Sequence, residues 1–168
     1  MMQIKLCMVG AFAVGKSSLV QRYVQSVFSE KYHTTVGVKI DKKDVTVDGA
    51  TTRMMLWDLA GEDAFSRLQT TYLRGCSGYI LVADGTRAHT LDAALALNGR
   101  IERELGLLPF VLVLNKDDLA ADWEIPGERI AALEAAGMRV LRSSAKNGAG
   151  VEAIFAHFAR APSAACIG

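Results

Sequence analysis

The chain has 168 residues, 51% of them hydrophobic and 22% charged, with a formal net charge of +1. This length can bury a core as one domain without disulfides or metal clips, and a balanced charge with no basic block argues against nucleic acid or an anionic membrane surface as a partner. Cys7, Cys76 and Cys166 are too few and too widely spaced for a disulfide framework or a metal knot; with no apolar run of transmembrane length and no room for a signal peptide before the first strand, a cytoplasmic protein is expected.

In chain order, Ile4, Leu6, Met8 and Val9 mark a short buried strand, and Leu19, Val20, Tyr23 and Val24 share one helical face. Between them, Gly10 to Ser18 reads Gly-Ala-Phe-Ala-Val-Gly-Lys-Ser-Ser and satisfies G-x-x-x-x-G-K-[ST] in full. Such a loop turns its amide N–H groups inward around a phosphate, which needs glycine where a Cβ would obstruct, and the helix that follows aims its positive end at the same anion. The candidate contacts are Gly10, Ala13, Val14, Gly15, Lys16, Ser17 and Ser18. Lys16 would reach the β- and γ-phosphates and the Ser17 hydroxyl would ligate Mg²⁺. A glycine-bearing turn that binds nothing is the bland alternative, and the motif does not say which nucleotide.

Gln25 to Gly37 reads as a long polar connection. Val38 to Val47, a turn at Asp48-Gly49 and Thr51 to Trp57 predict a hairpin at one edge of the sheet. Gly78 to Ala83 is a continuous apolar run, as in a strand covered on both faces. Thr90 to Leu105 predicts an amphipathic helix with Leu91, Ala94, Leu95 and Ile101 inward. Phe110 to Leu114 predicts another buried strand. Pro126 precedes a helix through Ala136 with Gly137 at its C-cap, Val140 and Leu141 predict a last strand, and Val151 to Arg160 a last helix. The alternation implies an α/β fold with a parallel sheet whose ligand loops gather at the strands' C-terminal ends.

Three more segments fall on those loops. In Trp57-Asp58-Leu59-Ala60-Gly61, Asp58 would hold Mg²⁺ through water, and Gly61 would let the backbone approach a γ-phosphate. In Asn115-Lys116-Asp117-Asp118, the Asp118 carboxylate can accept two hydrogen bonds from the N–H and amino group that guanine presents and adenine does not, while the Lys116 stem lies along the base. In Ser143-Ser144-Ala145-Lys146, a backbone N–H could meet the guanine carbonyl oxygen. Singly, each of these also reads as an ordinary polar turn.

In the order GAFAVGKSS, YHTTVGV, WDLAGED, NKDD and SSAK, with TTYLRGCSGYILV after the third, the chain resembles the Ras-like small GTPases and is most similar to the Rab branch, over essentially its whole length. The resemblance implies a phosphate-loop NTPase fold: a six-stranded, mostly parallel sheet with one antiparallel edge strand and five helices. It implies a switch that hydrolyses GTP to GDP, with switch segments at about 27–38 and 59–74, and effector, exchange-factor and activating proteins as partners. Asn115, Lys116, Asp118, Ser144, Ala145 and Lys146 would then contact the nucleotide. Thr35 would bind Mg²⁺ and sense the γ-phosphate, Tyr32 would fold over the phosphates, and Phe28 would pack edge-on against guanine.

Three departures qualify the resemblance. The water-positioning glutamine of the family falls at Glu62, an ionised acceptor that cannot donate toward the phosphoryl group. Its charge points to slow intrinsic turnover, but a carboxylate is also the better proton acceptor, which would favour faster hydrolysis. Phe12 and Ala13 stand where the family has small residues or glycine, and Phe12 would hinder an incoming arginine finger or lie flat against apolar neighbours. No arginine is placed to act in cis; Arg67 and Arg74 read as helix-surface residues. Third, Cys166 is third from the last residue given, so no lipid anchor is expected. Ile40 and Leu73 stand near positions where Rab surfaces offer aromatics. Two further readings stay beside the switch: a GTP-bound scaffold that barely turns over because of Glu62 and Phe12, and an ATP-dependent phosphate-loop enzyme, which leaves Asn115 to Asp118 unexplained.

Overall fold

The computed structural model describes residues 2–25, 38–59 and 71–160. Six strands form one sheet in the order β2-β3-β1-β4-β5-β6: β1 (Met2–Gly10), β2 (Val38–Val47), β3 (Ala50–Leu59), β4 (Gly78–Asp84), β5 (Phe110–Asn115) and β6 (Val140–Arg142). Only β2 runs antiparallel, paired to β3 with Val47 opposite Ala50; the other neighbours are parallel. The turn between β2 and β3 holds Asp48 and Gly49 at φ 51° and 82°. Two consecutive left-handed residues give the tight turn whose twist matches the flanking strands, as Asp-Gly predicts.

Four α-helices lie wholly within the described residues: α1 (Lys16–Gln25), α2 (Ala88–Leu105), α3 (Gly127–Ala135) and α4 (Val151–Arg160); residues 71–73 are helical as well. The strand pleat sends alternate residues to opposite faces, and each face has its own core. Leu6, Met8, Leu56, Ile80, Val82 and Val113 meet Leu19, Val20 and Tyr23 of α1 and Ile154, Phe155 and Phe158 of α4. Cys7, Val9, Tyr79, Leu81, Leu112 and Leu114 meet Leu91, Ala94, Leu97 and Ile101 of α2. Every residue of β4 is buried, as its unbroken apolar run requires.

A strap ties the hairpin to the first of these faces. Lys43 of β2 lies over the Tyr23 ring, 3.9 Å from its centroid, and its Nζ donates to Tyr23 O at 2.6 Å. The other face of that ring stacks on Phe155 at 4.0 Å.

Several expectations are refined here. Leu95 packs inward against the core as expected, partly buried, while Leu97, which was not expected inward, is fully buried on α2. Leu73 is wholly buried in the core under α2, whereas Ile40 is exposed on β2. A 3-10 helix, Asp117–Asp122, follows β5, an element not expected from the sequence. No helix among the described residues is long and apolar enough to cross a membrane.

Candidate functional site

Because β1, β3, β4, β5 and β6 are parallel, Gly10, Leu59, Asp84, Asn115 and Arg142 end at the same edge of the sheet. The loops that leave them carry the candidate residues.

The segment after β1 turns through Ala13 at φ 61° and Gly15 at φ 102° before α1 begins at Lys16. At Gly15 a Cβ would lie 2.2 Å from Asn115 Nδ2, so both conformation and space demand glycine. Ala13 adopts a left-handed backbone with a side chain, at a cost of about 1 kcal/mol. Lys16 is 7% exposed, and its Nζ donates to Gly10 O at 3.3 Å and Ala11 O at 3.1 Å. Desolvation pulls its pKa down to about 8, against the opposing pull of the Asp58 carboxylate. A buried ammonium among carbonyls is poised to gain from an anion brought against it.

Beside it, Ser17 Oγ donates to Oδ2 of Asp58, a buried carboxylate near the end of β3. A hydroxyl and a carboxylate are the hard oxygen donors that Mg²⁺ prefers, so this pair fits that ion. No group of three or more His, Cys, Asp or Glu side chains accompanies them among the described residues. Ser18 follows half-buried on the first turn of α1, and Val14 is buried beneath the loop.

Asn115 ends β5, 2% exposed, and joins three loops. Its Nδ2 donates to Val14 O at 3.0 Å. Its Oδ1 accepts from Ser143 Oγ at 3.1 Å and, over a longer 3.4 Å, from the Ala145 N–H. Lys116 takes the left-handed conformation, φ 73°, which turns the chain sharply after the strand. Its Nζ pairs with Asp84 Oδ2 at 2.8 Å. Asp118 stands exposed at this edge with Oδ1 accepting from the buried Ser144 Oγ at 2.8 Å. The Ser144 N–H is bonded to Ala149 O, and Lys146 is exposed.

The structure therefore brings Gly10 through Ser18, Asp58, Asn115, Lys116, Asp118, Ser144, Ala145 and Lys146 to one edge. Phe28, Tyr32, Thr35, Gly61, Glu62 and Arg67 lie outside the described residues, as does most of both expected switch segments. Arg74 is exposed, as expected, and its carbonyl accepts from Lys5 Nζ. Two residues of the site escaped the sequence reading: Asp84, wholly buried at the end of β4, and Arg87, whose Nη2 bonds the carbonyls of Phe12 and Ala13. A signal existed for the first, since a lone acid closes a run that is otherwise apolar.

The model of the Ras family matches residues 5–163. The chain is 34% identical over 157 residues to Ras-related protein Rab-12 of Homo sapiens, an alignment that covers 91% of this chain and 64% of Rab-12. It is 33% identical over 156 residues to Ras-related protein SEC4 of Saccharomyces cerevisiae, covering 90% of this chain and 71% of SEC4. Ras-related protein Rab-1D of Dictyostelium discoideum is 31% identical over 158 residues, with 93% and 78% covered. The chain thus spans somewhat less than two thirds of the Rab-12 length. It belongs to the Ras family, as a Rab-like member.

Proposed function

We propose that the chain is a guanine-nucleotide-binding switch, one G domain over residues 1–168, that hydrolyses GTP to GDP. One observation supports this above the others: the Asn115 side chain joins the phosphate-loop segment at Val14, the 115–118 segment and the 143–145 segment. Residues suited to phosphate and residues suited to a purine edge are thereby held at fixed separation, which a diphosphate alone would not require.

In this reading the amides of Ala13 through Ser18 and the Lys16 ammonium receive the phosphates, and the buried lysine regains its charge as they arrive. Asp118 accepts from the guanine N–H and amino group, held in orientation by Ser144 Oγ. Lys116, Ala145 and Lys146 complete the base end, with Phe28 and Tyr32 enclosing the nucleotide. Ser17, Asp58 and Thr35 would hold Mg²⁺, which when bound neutralises phosphate charge. A water positioned near Glu62 attacks the terminal phosphorus, the bond to the GDP oxygen breaks, and the proton passes to the released phosphate or to solvent. Loss of the γ-phosphate frees Thr35 and Gly61, so segments 27–38 and 59–74 change and effector, exchange-factor and activating proteins can tell the two states apart.

The test loads the protein with fluorescent GDP and competes with GTP, GDP and ATP, then follows a single turnover of preloaded GTP with Mg²⁺. Displacement by GTP but not by ATP, followed by phosphate release, is expected. Equal displacement by ATP would refute the base assignment, and absence of phosphate release over many hours would refute hydrolysis.

A further inference from the structure

Asp84 closes the apolar strand β4 and is wholly buried. Its Oδ1 accepts from the Thr86 N–H at 2.9 Å and from Thr86 Oγ1 at 2.7 Å. Its Oδ2 accepts from Lys116 Nζ at 2.8 Å and Arg87 Nε at 3.0 Å. Burial alone would push this carboxyl up, but the hydrogen bonds from Lys116, Thr86 and Arg87 outweigh it and hold the group below the usual carboxylate range. The turn that follows is fixed from its other side by Trp123, whose ring lies 2.0 Å from where a Cβ on Gly85 would sit.

Arg87 precedes α2 in an extended conformation. With Nε committed to Asp84, its planar fork presents Nη2 to two successive carbonyls, Phe12 O at 3.1 Å and Ala13 O at 3.0 Å. A trans peptide sets the C=O of one residue and the N–H of the next on opposite sides of the bond. Drawing the carbonyls of residues 12 and 13 toward the guanidinium therefore turns the N–H groups of Ala13 and Val14 away from it. The left-handed backbone of Ala13, costly for a residue with a Cβ, is the conformation this grip holds.

We propose that Arg87 is a positioning residue of the phosphate loop: anchored on Asp84, it presets the amides of Ala13 and Val14 for a phosphate. Through the carboxylate it shares with Lys116, it also ties that loop to the base-side segment. The inference rests on the guanine-nucleotide reading above. Lysine could not reproduce it fully, since one ammonium lacks the fork that reaches an acid and two carbonyls together.

The experiment measures GDP and GMP affinity by competition against fluorescent GDP, with Mg²⁺, for wild type, Arg87→Ala and Arg87→Lys. The single phosphate of GMP is expected on the helix-proximal amides of Ser17 and Ser18, whereas the second phosphate of GDP needs the loop amides. Arg87→Ala should weaken GDP by about tenfold or more and leave GMP nearly unchanged, with Arg87→Lys between the two. Equal losses for GDP and GMP would reduce Arg87 to a general structural role, and unchanged GDP affinity would remove it altogether; either overturns the proposal. Wild type that binds no GDP would refute the guanine-nucleotide reading itself, before any variant is compared.

Discussion

Replacing Asn115 with alanine tests the element on which the site is built. The side chain is 2% exposed and makes two well-formed hydrogen bonds, to Val14 O and from Ser143 Oγ, plus the longer one from Ala145. Truncation leaves a carbonyl and a hydroxyl in the interior without those partners. A buried polar group stranded in this way costs roughly 1–3 kcal/mol, so the two together predict a loss of about 3 kcal/mol. The part of that loss expressed at the site appears as faster nucleotide release, up to on the order of a hundredfold, since about 1.4 kcal/mol is a factor of ten. The assays are urea unfolding of the GDP-bound protein and stopped-flow release of fluorescent GDP. Gly15→Ala provides an independent approach to the same joint, because its new Cβ would meet Asn115 Nδ2 at 2.2 Å and displace it. A loss below about 1 kcal/mol in Asn115→Ala, with release unchanged, would refute the claim that this residue joins the loops.

Other outcomes follow from the same site. Lys16 has its pKa lowered to about 8, so between pH 8 and its unfolded value near 10.5 the unfolded nucleotide-free chain binds more protons than the folded one. Stability of the nucleotide-free protein should therefore rise with pH across that window, and Lys16→Met should flatten the rise; equal slopes in both would place the effect elsewhere. Asp118→Asn should shift preference from guanine toward xanthine nucleotides in a GDP/XDP competition, and Ser144→Ala should weaken guanine binding by removing the donor to Asp118 Oδ1. Full guanine selectivity in Asp118→Asn would exclude Asp118 from base recognition. Glu62→Gln should speed single-turnover GTP hydrolysis if the carboxylate acts as a brake through its charge, and slower hydrolysis in the variant would make Glu62 a working base instead.

What could be read from the residues follows physical scale. The phosphate-loop motif and the hairpin turn were legible because each is a local demand on backbone conformation, met by glycine or by Asp-Gly. Strand β4 was legible because burial on both faces removes alternation and leaves a continuous apolar run. The helix face was read less completely: Leu95 and Leu97 are both apolar, and only the packing on β4 and β1 decides that Leu97 is the one fully enclosed. The 3-10 helix at Asp117–Asp122 carries no apolar period of its own and buries no residue. Arg87 was illegible for a different reason. Its partners Phe12 and Ala13 lie 75 and 74 positions away, and only the parallel order of β1 and β4 brings them together.

The Lys43–Tyr23–Phe155 strap has a consequence for the edge of the sheet. Tyr23 sits in the last turn of α1 and Lys43 near the middle of β2. Among the described residues, strand β2 has β3 as its one neighbour in the sheet, and the strap gives it a second hold, through a side chain rather than the backbone ladder. That hold joins an ammonium to a ring whose stacking partner belongs to α4. Helix α1, helix α4 and the hairpin are thereby clamped at one point, so a force that peels β2 from β3 must also break this clamp.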